Sequence, residues 1–149
     1  MNYATRGARF IAAVIDILIV VAVAILVGMV LGTLQLNNSF VNLVFQLALG
    51  YGYYAFYQAQ SGQTLGKKAM GIKIVNLSGK KPDVNTFLFR ETLVLVPGIL
   101  IQLGFITSIF STVGSLLSLV VLFGYAMILW DGKRQGLHDK IVKTFVVKA

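Results

Sequence analysis

"TLVLVPGILIQLGFITSIFSTVGSLLSLVVLFGYAMILW", Thr92–Trp130, runs without a single charged residue. As one helix it would measure about 58 Å, nearly twice a hydrocarbon core of ~30 Å. It must therefore fold back, and the Ser- and Gly-containing patch Ser111–Gly114 is the expected turn. Two more apolar runs precede it, Phe10–Leu34 and Phe40–Tyr57, about 37 and 27 Å long as helices. The predicted fold is an all-α membrane protein: a four-transmembrane-helix bundle forming one unit over residues 1–149. The spans are placed near 10–34, 40–57, 92–110 and 113–130, with a cytoplasmic loop over 58–91 and a cytoplasmic tail over 131–149.

Composition agrees. Of 149 residues, 57% are hydrophobic and 12% charged, against about 45–50% and about 25% in an ordinary soluble domain. The mean hydropathy is +0.82. With no cysteine, disulfides, thiolate catalysis and cysteine-bound metals are excluded. Arg6 and Arg9 ahead of an apolar run resemble a signal peptide, but the run exceeds a 7–15-residue apolar core and Asp16 interrupts it. It is expected to be a retained first span.

The basic residues set the orientation. They precede the first span (Arg6, Arg9), fill the gap between the second and third (Lys67 to Arg90) and follow the fourth (Lys133 to Lys148). The connections at Gln35–Ser39 and Ser111–Gly114 carry none. Four spans in the cell's inner membrane, with both termini and the long loop cytoplasmic, satisfy the positive-inside rule; three would not. The net charge of +8 then points to anionic lipid headgroups, not nucleic acid. Tyr51, Tyr53, Tyr54, Tyr57 and Trp130 read as a headgroup-level aromatic belt in preference to a ligand site. Gly28 and Gly32 form a GxxxG pair that permits close helix packing. Two β-rich runs, "MGIKIVN" (Met70–Asn76) and "KTFVVK" (Lys143–Lys148), are candidates to pair as a small cytoplasmic cap.

Asp16 is the first residue with chemistry. A carboxylate at the centre of a span costs about 2.5–3.5 kcal/mol, and Asp16 sits about 9 Å inside the first one. It is either an ion or proton site facing the bundle or a structural carboxylate held by a neighbouring helix. Arg9 shares its face but leans away toward the helix N-terminus, so Arg90 or a loop lysine is the expected cation for Asp16. Asp139, in "RQGLHDKIVKT", reads alone as a solvated carboxylate, and His138 beside it as an exposed histidine. Asn42, Gln46 and Gln102 place amides in the second and third spans, as cross-helix hydrogen bonds or, alternatively, cation ligands.

Other motifs fail. "GQTLGKK" from Gly62 has three residues between its glycines where a P-loop needs four, and Lys68 stands where Ser or Thr is required. One histidine and five carboxylates along the chain supply no HExxH, GxSxG or metal-ligand cluster. No enzyme activity, metal or cofactor is expected.

Taken in order, "RFIAAVID" (Arg9–Asp16), "GQTLGKKAMGIKIVNLSGK" with the following Arg90, and "GLHDKIVKTFVV" resemble the RDD family of small membrane proteins, named for one arginine and two aspartates. By position the resemblance assigns these to Arg9, Asp16 and Asp139, with Gly66, Lys67 and Arg90 in support. It selects Asp139, which the residues alone did not, and places it with Arg9 at the cytoplasmic interface, leaving Asp16 another partner. It also implies cation–proton exchange with Na⁺ or K⁺, Asp16 being the protonatable group and Arg9 and Asp139 the cytoplasmic gate. Four short spans without an internal repeat suit exchange best as a homo-oligomer. The alternative is a non-transporting accessory module docking lipid or a protein partner.

Overall fold

Short polar residues open the helices. In the computed structural model, which describes residues 1–36 and 38–149, Thr5 caps α1 (Arg6–Thr33) by accepting the Ala8 N–H. Asn38 caps α2 (Ser39–Leu49) in the same way through Val41. Such caps satisfy amides that the first turn leaves without partners. Asn37, within the connection expected at Gln35–Ser39, lies outside the described residues. From α2 the chain continues helically through a π-helical segment, Gly50–Tyr57, into α3 (Gln58–Ser61). Gly62, at φ 75°, ends it. A short helix α4 (Leu65–Ala69) and strand β1 (Ile72–Val75) follow.

The two following long helices form a hairpin. Asp83 caps α5 (Val84–Gln102) by accepting the Thr86 N–H. Arg90 and Glu91, expected within the loop 58–91, therefore stand on a helix. After a 3₁₀ turn at Leu103–Phe105 the chain reverses at Ile106–Thr107, and α6 (Ser108–Ala126) returns. This corrects the turn expected at Ser111–Gly114. The hydroxyls of Ser111 and Thr112 donate to the Ser108 carbonyl, and Ser115 donates to Ser111, so the polar patch is satisfied along its own helix. Gly114 is a contact point: a Cβ there would lie 2.7 Å from the Pro97 carbonyl oxygen and the Ile101 nitrogen.

Among the described residues, three helices are long and apolar enough to cross a membrane: Arg6–Thr33, Val84–Phe105 and Ser108–Leu129. Leu18, Leu26, Leu116 and Leu122 on them turn outward, as lipid-facing side chains do.

The buried core lies at one end of the bundle. Ala12, Ala55 and Phe87 from the helices meet Ile72, Ile74 and Val146 from a two-stranded antiparallel sheet. In it β1 pairs with β2 (Phe145–Lys148), Ile72 opposite Lys148 and Val75 opposite Phe145. The two β-rich runs thus pair as expected, and each strand has three buried residues of four. Between α6 and β2 stands the short helix α7 (Leu137–Ile141). The N-terminus joins the sheet at Tyr3, bridged to Val147, and Arg134 donates to the carbonyls of Tyr3 and Ala4.

Candidate functional site

Asp16 is 3% exposed, and the segment Thr64–Lys67 closes over it. Oδ1 accepts the Gly66 N–H at 2.7 Å and the Tyr53 hydroxyl at 2.8 Å. Oδ2 accepts the Thr64 hydroxyl at 2.5 Å. Lys67 Nζ stands 4.0 Å from Oδ2 and 3.3 Å from Thr64 Oγ1. Thr64 has two tasks, since its oxygen also accepts the Lys67 N–H that opens α4. Glycine is required at 66 because a Cβ would strike the Ala12 carbonyl and come within 2.8 Å of Asp16 Oδ1. The motif that fails as a phosphate loop thus works as a carboxylate clamp, directing a backbone amide and a hydroxyl at an anion.

The π-helical segment supplies the tyrosine. Two residues apart, Tyr51 and Tyr53 point to different partners, Tyr51 to Thr92 Oγ1 at 2.9 Å and Tyr53 to Asp16. The aromatic-belt reading is therefore corrected for these two, whose hydroxyls tie helices together. Tyr53 stacks on Tyr57 at 5.7 Å.

Asp139 is the centre of a second cluster. It is fully buried, which corrects the solvated carboxylate expected from its neighbours in sequence. Arg9 Nη2 approaches Oδ2 at 2.6 Å, and the Gly136 N–H donates to the same oxygen at 3.2 Å. Arg90 grips Oδ1 through Nε and Nη2, at 3.2 and 3.1 Å. The network extends from Arg90 Nη1 to Glu91 Oε1 at 2.8 Å, and Gln58 donates to that oxygen at 3.3 Å. Arg9 also donates to the Arg134 carbonyl. Arg90 therefore belongs to Asp139 and Glu91, and Lys67 is the cation beside Asp16.

His138 is buried as well, 5% exposed, with Nε2 at 3.4 Å from Asp139 Oδ1 and its ring 4.6 Å from that of Tyr125. The exposed histidine expected from sequence is thus corrected. Burial pushes its pKa down to about 3, against the attraction of Asp139 and with repulsion from Arg90 and Arg9, so the imidazole is neutral at pH 7. Burial also opposes the Asp139 charge. The cations around it, His138 when protonated and Arg90 and Arg9 throughout, outweigh that and hold its carboxyl far below the usual range.

Beyond Asp16 lies a groove of about 670 Å³. Its α1 wall is Val20, Ala24 and Gly28, successive four-residue steps from Asp16 along one face. Asn42, Gln46 and Tyr54 line the opposite wall, with Gln102 from α5. Gln102 donates to Gln46 across the helices, the cross-helix bond expected of these amides. Among the described residues, nothing beyond their own helix turn comes within 4 Å of a Cβ position at Gly28 or Gly32.

Sequence reasoning missed Thr64 and Tyr53. Thr64 had a visible signal, a short hydroxyl residue followed by a helix-forming run, but Tyr53 depends on the helix's rotation and had none.

A model of the RDD family matches residues 3–143. The chain is also 30% identical over 106 residues to "Uncharacterized protein YxaI" of Bacillus subtilis (strain 168), an alignment covering 70% of this chain and 56% of that protein. The chain thus spans little more than half the length of that relative. No solved structure matches significantly. With the match running nearly end to end, the chain is a member of the RDD family of membrane proteins.

Proposed function

We propose that the protein exchanges a monovalent cation for a proton across the cell's inner membrane, with Asp16 as the coupling carboxylate. The observation that carries this reading is the groove. One face of α1 leads through Val20, Ala24 and Gly28 from Asp16, opposite a stripe of amides and Tyr54. Exchange needs an intramembrane carboxylate near a path for the ion; Asp16 lies one helical turn from the groove's wall at Val20, and Asn42, Gln46 and Gln102 set polar amides in an otherwise largely apolar lining. The reading includes four spans with both termini cytoplasmic, the second running from α2 through α3. Arg9, Asp139 and Arg90 close the cytoplasmic end. Anionic headgroups lie against the lysines of the cap, and the working form is a homo-oligomer. It involves neither enzymatic chemistry nor nucleic acid.

The test is cation-driven proton movement in proteoliposomes, wild type beside Asp16→Asn. Flux with Na⁺, K⁺ or Li⁺ in the first and none in a folded second supports exchange. No flux in the wild type with any of the three refutes it.

One observation favours a second reading. Asp139 is saturated by two guanidiniums and an amide, as befits a lock. In an accessory module both aspartates fasten the cap to the bundle, and Asp16→Asn lowers stability without any flux to abolish.

A further inference from the structure

A slot of about 270 Å³ runs between α5 and α6 toward α7 and shares no lining residue with the groove beside Asp16. Two close contacts bound it. Pro97 and Gly114 bring the helices together at one end; at the other, Leu137 of α7 lies so near Gly124 that a Cβ there would come within 2.8 Å of it. Between them the α6 wall runs from Leu117 to Gly124, about 10 Å along the helix axis. The slot is thus aligned with the spanning helices, and its exposed wall residues Leu117, Val120 and Ile141 leave it open to the bilayer. Among the described residues that line it, only Thr92 and His138 have polar side chains. The Thr92 hydroxyl donates to the Leu88 carbonyl and pairs with Tyr51, and His138 turns Nε2 toward Asp139. What fits inside is hydrocarbon.

Size and charge narrow the occupant. A helix about 10 Å across fills roughly 420 Å³ per turn, so the slot is too small for a helix of a second copy and suits a single hydrocarbon chain. Its mouth is basic. Ile141 stands there half-exposed, between the exposed lysines 140 and 143. Lys140 is already paired, its Nζ 2.5 Å from Asp131 Oδ1. Lys143 has no carboxylate partner among the described residues. It also sits at φ 54°, a conformation that glycine adopts freely and lysine only at a cost.

We infer that the slot seats one acyl chain of an anionic phospholipid from the leaflet facing α7, with the lipid phosphate on Lys143. The inference rests on the reading that anionic headgroups lie against the cap and deepens it by giving one of them a fixed place; it does not depend on ion exchange. An unpaired ammonium at headgroup level attracts anionic lipid, and the apolar slot beside it receives the tail. The seat also has a use. Its walls include Leu137, His138 and Ile141 of α7, the helix that carries Asp139. A bound tail therefore packs α7 against α5 and α6 and holds Asp139 on Arg9 and Arg90.

The experiment follows thermal unfolding of the purified full chain in detergent with added phosphatidylglycerol, phosphatidylcholine of the same acyl chains, or inorganic phosphate. In the wild type, phosphatidylglycerol is expected to raise Tm more than phosphatidylcholine, increasingly with concentration, and inorganic phosphate not at all. Val121→Trp, which fills the slot, abolishes the rise. Lys143→Gly has a Tm equal to or above that of the wild type without lipid, because the backbone is relieved, yet loses the preference for phosphatidylglycerol. Lys80→Gln, an exposed cap lysine in the loop after β1, keeps it. No preference in the wild type overturns both the seat and the headgroup reading. A rise with inorganic phosphate equal to that with lipid overturns the seat, since a free anion then suffices. Either Val121→Trp or Lys143→Gly keeping the wild-type preference also overturns it, and a loss in Lys80→Gln instead would leave the headgroup reading standing. Where Val121→Trp does not fold, Lys143→Gly decides.

Discussion

At the scale of single residues, Asp139 and Asp16 show two ways of keeping a carboxylate out of water. Removing one partner from a buried, hydrogen-bonded ion pair costs about 3–5 kcal/mol, because the other charge stays buried. Arg9→Ala is expected to lower stability by that order in chemical denaturation. A double-mutant cycle with Asp139→Asn should return a coupling of about 0.5–3 kcal/mol; no coupling would mean the 2.6 Å contact is energetically idle. Gly66→Ala has no room, since its methyl would meet the Ala12 carbonyl and Asp16. The substitution should lower Tm by forcing α4 from α1. His138 gives a pH dependence of definite sign. Unfolded, it takes up a proton at about pH 6.5; folded, it refuses until about pH 3. The unfolded chain therefore binds more protons in that interval, and stability falls as the pH drops through it, at up to about 1.4 kcal/mol per pH unit. The depressed Asp139 has the same sign but acts only below about pH 4, so His138→Asn should flatten the Tm profile between pH 7 and 4.

At the scale of elements, the helix hairpin is the contact that a single substitution tests directly. Gly114→Leu inserts a side chain where the Pro97 carbonyl leaves 2.7 Å for a Cβ, and overpacking of this kind costs about 1–3 kcal/mol. Thermal unfolding in detergent reads it. The apolar runs were legible because length and hydrophobicity suffice to mark a membrane helix, and the β-pair because both runs are rich in β-branched residues and the first is followed by the turn signal at Asn76–Lys80. The fold-back was legible in its necessity but not its place. Ser111, Thr112 and Ser115 have the composition of a turn, and only their bonds to carbonyls one turn back show that the helix continues through them. The second cluster was hidden for another reason. Five residues after Arg134, nothing local distinguishes a solvated Asp139 from a buried one; its burial depends on helices more than forty residues away in sequence.

At the scale of the molecule, the charge asymmetry predicts a topology that the absence of cysteine makes simple to read. A single cysteine at Thr107, in the hairpin turn, should react with a membrane-impermeant maleimide from outside the cell. One at Ser78, in the loop after β1, should react only after the membrane is opened. The reverse pattern would overturn the orientation. The meeting of the two chain ends at the sheet also has a consequence for biosynthesis. Residues 2–4 leave the ribosome long before their partners in β2, with Ala4 N–H donating to the Val146 carbonyl and Lys148 N–H to that of Asn2. Arg9 and Arg90 likewise emerge long before Asp139, which pairs with both. The nascent chain thus enters the bilayer with Arg9 lacking its carboxylate, Arg90 held by Glu91 alone, and β1 uncovered. The segment after α6 closes the ring, so a product stalled after α6 carries an open cap for quality control to find.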